Sequence, residues 1–229
     1  MLRIWPLVGA TTLLAVLALA CNGNGEGTPS TQDETTSLEP TPMRYAERPE
    51  LTIDPDKKYT AIIETEKGTF RIQLKPDLAI QTVNSFVFLA REGYYDGVTF
   101  HRVIPGFVAQ GGDPTGTGSG SPGYTLPAEF SDVPFERGTV AMARTDDPDS
   151  AGSQFFIVHQ DSLGLDGQFS VFGRVVEGIA VVDAITEVEI DTYGRYGPIE
   201  RPHPVAVVID SPGGDAKAAF QIASLLRRH

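Results

Sequence analysis

The chain carries one cysteine, Cys21, among its 229 residues. A single thiol excludes an intramolecular disulfide and any cysteine-rich zinc site. Its four histidines, His101, His159, His203 and His229, show no ligand spacing, so no metal centre is expected. Positive charge is scarce: 18 Lys and Arg stand against 30 Asp and Glu, a net charge of −12. That balance argues against a nucleic-acid-binding surface. No Gly-x-Ser-x-Gly elbow occurs, which argues against an ordinary serine hydrolase. Asp146, Asp147 and Asp149 lack the glycine and closing glutamate of a calcium loop and read as a solvated turn. What is present is a 41% hydrophobic complement, enough for one core of ordinary size.

The N-terminus accounts for the cysteine. Arg3 precedes an uncharged run from Ile4 to Ala20, mostly Leu, Ala and Val, and Ala18-Leu19-Ala20 sits just before Cys21. A basic start, an apolar stretch and small residues before a cut describe a secretory signal over residues 1–20. With Cys first in the mature chain, it resembles a bacterial lipoprotein signal, although Ala18 stands where Leu is commoner. The resemblance implies a diacylglyceryl group on Cys21 and an exported protein held on the outer face of the cytoplasmic membrane or in the cell envelope. The alternative is an uncleaved transmembrane anchor, for which the run is slightly short. Residues 21–56 are rich in Gly, Thr, Ser, Pro and Glu, too polar to offset ordering entropy, and are expected to form a flexible tether.

Order is expected over residues 57–210. Tyr59–Glu64 and Thr69–Leu74 are β-rich runs around Glu66-Lys67-Gly68, a hairpin pattern. Asp77–Arg91 places Ile80, Val83, Phe86, Val87 and Ala90 at helical spacing, with Gly93 as the stop. Further strands are expected at Val98–Ile104, Phe107–Gln110, Gly138–Ala143, Gln154–His159, Ser170–Val175 and Pro204–Asp210, with a second helix over Gly178–Ile185. Many short strands with two helices suggest a mainly β fold, a closed antiparallel barrel. Gly111–Tyr124 holds six glycines and two prolines but lacks the Gly-Lys-Ser/Thr ending of a phosphate loop, so it reads as a surface loop and no cofactor is expected.

The most informative stretch is Phe100–Asp113, FHRVIPGFVAQGGD, with a cation at Arg102 and an amide at Gln110. Arginine among Phe and Val needs a reason, since it is rarely buried unpaired. An ion pair at a sheet edge and a hydrogen-bond donor on the floor of an apolar groove both fit this segment. The segment is followed by Ser153-Gln154-Phe155-Phe156-Ile157 and by Leu165-Asp166-Gly167-Gln168-Phe169-Ser170-Val171-Phe172-Gly173. In their order and spacing the three blocks resemble the cyclophilin family of peptidyl-prolyl cis-trans isomerases, from about Lys57 to Asp210.

The resemblance implies an eight-stranded barrel capped by two helices and acting on proline-containing polypeptides as a monomer. It implies catalytic roles for Arg102, Gln110 and Phe107, with Arg102 donating to the proline nitrogen and Gln110 positioning it. The proline pocket would comprise Phe107, Val108, Phe156, Leu165 and Phe169. Met142 and Ala143 would form the groove wall, and the main chain of Arg144 would clamp the peptide. Phe155 and Phe172 read as barrel core. Four positions depart from the family: Val108 for Met, Phe169 for His, Arg144 for Asn, and Gly164 where cyclosporin-sensitive members have Trp. The last predicts weak cyclosporin binding. A non-catalytic binding module, or chaperone, for proline-containing segments is the competing function. It would not require a cation opposite the proline nitrogen, so Arg102 and Gln110 favour the enzyme.

Residues 211–229 extend past the family's usual end. Asp210-Ser211-Pro212-Gly213-Gly214 leads into a helical pattern ending Leu225-Leu226-Arg227-Arg228. The turn resembles the oxyanion loop of signal-peptide peptidases and Clp-type proteases, but those enzymes need a serine much further along than residue 229. An extra helix packed on the barrel, or a remnant, is therefore expected rather than a second active site.

Overall fold

The computed structural model describes residues 43–187 and the backbone of a strand at Ala206–Asp210. Eight strands form one sheet: β1 Tyr59–Thr65, β2 Gly68–Leu74, β3 Arg102–Ile104, β4 Val108–Gly111, β5 Thr139–Met142, β6 Phe155–Val158, β7 Val171–Glu177 and β8 Ala206–Asp210. Their order is β3-β4-β6-β5-β7-β2-β1-β8, and every pairing is antiparallel. Two helices, α1 Ile80–Arg91 and α2 Ile179–Thr186, complete the mainly β architecture. Each expected strand is present with shifted ends. The expected closure is not made: β3 and β8 end the ladder, and no pairing joins them among the described residues. β3 is only three residues long, stopped by the Pro105-Gly106 turn, and offers little edge to a partner.

Strand alternation builds two cores. In β1 and β2, Ala61, Ile63, Phe70, Ile72 and Leu74 point inward, while their neighbours are partly exposed. β5 and β6 are buried on both faces. Val140, Met142, Phe155 and Ile157 join the interior core with Phe172 and with Val83, Phe86 and Val87 of α1. Ala141, Phe156 and Val158 face the other way and form a second cluster with Val108, Phe135 and Val171. Around Phe86 the rings of Tyr95, Phe172 and Phe155 lie at 5.1, 5.2 and 5.7 Å between centroids. Burying each such ring contributes roughly 1.5–3 kcal/mol, so this interior carries much of the stability.

Helix α1 begins at Ile80, later than expected, because its cap comes from far along the chain. Ala79 at its N-cap makes no side-chain capping bond. Instead Glu129 accepts the N–H groups of Gln81 (2.9 Å) and Thr82 (2.8 Å) and the Thr82 hydroxyl (2.8 Å). A carboxylate there satisfies orphan donors and complements the helix dipole. At the other end Gly93 adopts φ +73°, the left-handed turn expected of a stop residue.

Ordered packing also begins earlier than the composition suggests. Tyr45 donates its N–H to the Pro122 carbonyl (2.7 Å) and sets its ring against Phe88 at 5.0 Å. Asn84 of α1 receives the Thr52 and Ile53 N–H groups on Oδ1 and donates Nδ2–H to the Glu50 carbonyl. The part of the expected tether from Met43 to Asp56 is therefore docked, anchored by Tyr45 and Ile53, which lone apolar residues in a polar stretch did not announce. The expected signal, Cys21 and the C-terminal helix lie outside the described residues.

Candidate active site

Strands β3 and β4 are joined by the Pro105-Gly106 turn, closed by the Phe107 N–H on the Ile104 carbonyl at 2.9 Å. The register sets Arg102 opposite Gln110. Cross-strand partners lie side by side, and Arg102 Nη1 donates to Gln110 Oε1 at 3.3 Å. That is the guanidinium's protein partner among the described residues, and no carboxylate forms an ion pair with it. Of the two readings of Arg102, the sheet-edge ion pair is absent there.

Gln110 is held in turn by a residue to which the sequence reading assigned no role. Its Nε2 donates to Gln154 Oε1 at 3.0 Å, and Gln154 Nε2 donates to the carbonyls of Gly118 (2.9 Å) and Gly120 (3.0 Å). The glycine-rich loop is thus wired to Arg102 through two amides. Asp113 gives that loop its shape. Its buried carboxylate accepts Thr115 N–H and Oγ1–H (both 2.7 Å), Gly118 N–H (2.6 Å) and Gly120 N–H (3.1 Å). Burial pushes the carboxyl's pKa up, but the bonds from Thr115, Gly120 and Gly118 outweigh it and hold the group below the usual range. An Asp opening a loop with Thr two residues on is a side-chain turn signal legible in sequence.

The second core cluster is the apolar part of the site. Val108, Phe156 and Phe135 are buried, with Phe107, Ala143, Leu165 and Phe169 half-buried at its edge. Phe156 meets Phe169 edge-on at 5.3 Å and stacks on Phe135 at 6.1 Å. All five expected pocket residues therefore come together. Phe135 joins them from a loop, unannounced by any motif. Met142 departs from its expected place on the groove wall: it is 2% exposed and packs in the interior core, because its chain neighbours Ala141 and Ala143 take the outward face at the end of β5. Ala143 N–H is paired with the Gln154 carbonyl (2.9 Å), whereas the next residue, Arg144, has its main-chain N–H and C=O without protein partners among the described residues.

Beyond Gln110 and Ala143 lies a cavity of about 170 Å³, lined by Gly120, Tyr124, Arg144 and Gln154 among others. The hairpin tip has its own brace. Gly106 N–H donates to His159 Nδ1 (2.8 Å), which leaves the proton on Nε2 to reach Asp183 at 2.9 Å. Arg137 donates to the same carboxylate at 2.8 Å and, with His159, holds the Asp183 pKa below its ordinary value.

The three sequence blocks that carry the family resemblance thus converge here: the first supplies Arg102 and Gln110, the second Gln154 and Phe156, the third Leu165 and Phe169. The family of cyclophilin-type peptidyl-prolyl cis-trans isomerases matches residues 60–210. The chain belongs to that family. Among cyclophilins it is 48% identical over 140 residues to a peptidyl-prolyl cis-trans isomerase of Synechococcus elongatus, covering 58% of this chain and 96% of that one. It is 52% identical over 109 residues to peptidyl-prolyl cis-trans isomerase B of Bacillus subtilis, covering 47% and 76%. The crystal structure of a Cryptosporidium parvum cyclophilin-type isomerase in the presence of the dipeptide Ala-Pro superposes with a TM-score of 0.61 at 30% identity, covering 66% and 98% of the two chains. Arg144 stands where the family resemblance leads one to expect Asn, so its side chain is a local change. It does not point idly into solvent: its guanidinium lies over the rings of Phe169 (4.9 Å) and Phe130 (5.7 Å).

Proposed function

We propose that this cyclophilin accelerates rotation of X-Pro bonds in exported polypeptides, with Arg102 as the transition-state donor. The observation that carries the proposal is the Arg102 guanidinium, steadied by Gln110, without another protein partner among the described residues, and next to an apolar cluster through the cross-strand pairing of Gln110 with Phe156. The Ala-Pro dipeptide present with the Cryptosporidium parvum relative supports a proline-containing substrate.

An X-Pro bond resists rotation by about 20 kcal/mol because twisting abolishes amide resonance. At the twisted geometry the nitrogen becomes pyramidal and offers a lone pair that neither planar isomer has. A fixed N–H aimed at that lone pair binds the transition state selectively. One charge-assisted hydrogen bond contributes about 1.5–3 kcal/mol, roughly one to two decades of rate. The twisted amide is also less polar than the planar one, so Phe107, Val108, Phe156, Leu165 and Phe169 favour it further. The free main chain of Arg144 holds the peptide by strand-like bonds.

The proposal also covers location and state. Cys21 carries a diacylglyceryl anchor, residues 22–42 act as a tether reaching ~25 Å, and the monomeric domain works on the outer side of the cytoplasmic membrane or in the cell envelope. The composition of residues 1–42 supports this.

The test is cis-to-trans conversion of a short Ala-Pro peptide. Arg102→Ala should lower kcat/KM by about one to three decades with peptide affinity and melting temperature little changed. Arg102→Lys should rescue little, since one ammonium cannot serve Gln110 and substrate as a fork. A wild-type rate in Arg102→Ala would turn the reading toward a binding module.

A further inference from the structure

We propose that Arg144 makes this active site selective for substrates with a carboxylate side chain close to the proline; the inference rests on the isomerase reading above. Its starting point is a contrast of charge. The chain as a whole carries a net −12, yet Arg144 is the charged residue lining the cavity and Arg102 is a second cation nearby. The Asp113 carboxylate is buried and spent on the N–H and O–H donors of the glycine-rich loop. The remaining lining of the cavity is neutral, and so are the apolar cluster and its edge.

Arg144 is held in a way that aims its charge. Its Nε donates to the Gln168 carbonyl at 2.9 Å, and Nη1 donates to the carbonyls of Thr145 (2.7 Å) and Asp146 (3.3 Å). Phe169 and Phe130 cover its faces. Carbonyls and rings orient a guanidinium without neutralising it. Nη2 has no protein partner among the described residues, and no carboxylate forms an ion pair with Arg144 there. Two N–H donors of a pre-oriented cation are therefore left over. Arg144 borders the 170 Å³ cavity, touches Phe169 of the proline pocket, and presents the unpaired main chain beside both. A peptide lying along that main chain would bring its flanking side chains within reach of Nη2.

The nearby acids do not cancel this. Asp147 Oδ1 takes the Asp149 N–H (3.0 Å), and Asp149 Oδ1 takes the Ala128 N–H (2.8 Å). Both carboxylates, like that of Asp146, lie on the exposed turn that follows and do not line the cavity. A substrate carboxylate would be the partner that completes Arg144, through a charge-assisted hydrogen bond from Nη2.

The experiment uses the peptide Ala-Ala-Pro-Ala with Glu, Gln or Lys replacing each alanine in turn. Isomerisation is measured by NMR exchange and affinity by chemical-shift titration. At one flanking position the wild type should favour Glu over Gln by about three- to tenfold, with Lys last, and the preference should shrink as salt rises. Arg144→Ala should abolish the Glu/Gln ratio, and Arg144→Glu should move the preference to Lys. The ratio within one protein is independent of how much of a variant is folded. Equal handling of Glu and Gln at every position overturns the proposal, as does a preference that survives in Arg144→Ala. Were no peptide isomerised, the isomerase reading would fail while the affinity ratios still decide on Arg144. A wild type that binds none of the peptides overturns both.

Discussion

The Gln154 amide carries the Gln110 amide on its Oε1 at 3.0 Å, while its own nitrogen is spent on two carbonyls of the glycine-rich loop. Because both of its ends are occupied, Gln154 cannot flip without breaking bonds, and neither can Gln110, whose oxygen receives Arg102. The direction of the Arg102 guanidinium is therefore set by a residue 52 positions further on in the chain, 154 less 102.

This makes Gln154 a positioning residue with a measurable signature. Gln154→Leu keeps the volume but leaves Gln110 free to rotate. We expect kcat/KM to fall about three- to tenfold through kcat, as for the loss of one neutral hydrogen bond of about 1 kcal/mol, with KM nearly constant. Gln154→Glu keeps the acceptor for Gln110 and should retain more activity than the leucine variant. A leucine variant with wild-type kcat would break the proposed relay.

His101 adds an acid sensitivity. It is 7% exposed, and neither ring nitrogen has a well-formed hydrogen-bond partner among the described residues. Burial pushes its pKa below the ordinary value of 6.5, against the opposing pull of the Asp113 carboxylate. The unfolded chain then binds the proton at higher pH than the folded one, so stability is full above the ordinary imidazole range and declines as pH falls through it. Urea midpoints between pH 8 and 5 should show this slope, and His101→Leu should flatten it. An identical slope in the variant would assign the acid loss to other groups.

Gly164 stands at an open edge of the site. A Cβ built there meets nothing within 4 Å, so a side chain can start from this position without a clash at its first carbon. Gly164→Trp, supplying the residue of cyclosporin-sensitive cyclophilins, should bind cyclosporin at least tenfold more tightly than the wild type in a fluorescence titration, a gain of about 1.4 kcal/mol. Equal affinities would show that the missing indole is not what limits binding.

The anchor is tested on Cys21. Metabolic labelling with a fatty acid should mark the wild type, and Cys21→Ser should lose both label and detergent partitioning. An unlabelled wild type would remove the lipid anchor from the account.

Much of this was readable along the chain, because strand and helix periodicity is a property of neighbours. The alternation that sends Phe155 inward and Phe156 outward needs only the two-residue period of β6, and the three family blocks supplied Arg102, Gln110 and the pocket rings. Other features depended on which distant segments the sheet brings together. Glu129 caps a helix 48 residues before it, Phe135 enters the pocket from a loop, and Met142 is turned inward by the outward claim of its two alanine neighbours. Arg144 shows the division most clearly. Its main chain was expected to matter and its side chain was not, since only the folded groove places Phe130, Phe169 and the Gln168 carbonyl around one guanidinium. Local pattern determines which faces are apolar; the aim of a charge depends on partners that only the assembled chain brings within hydrogen-bond distance.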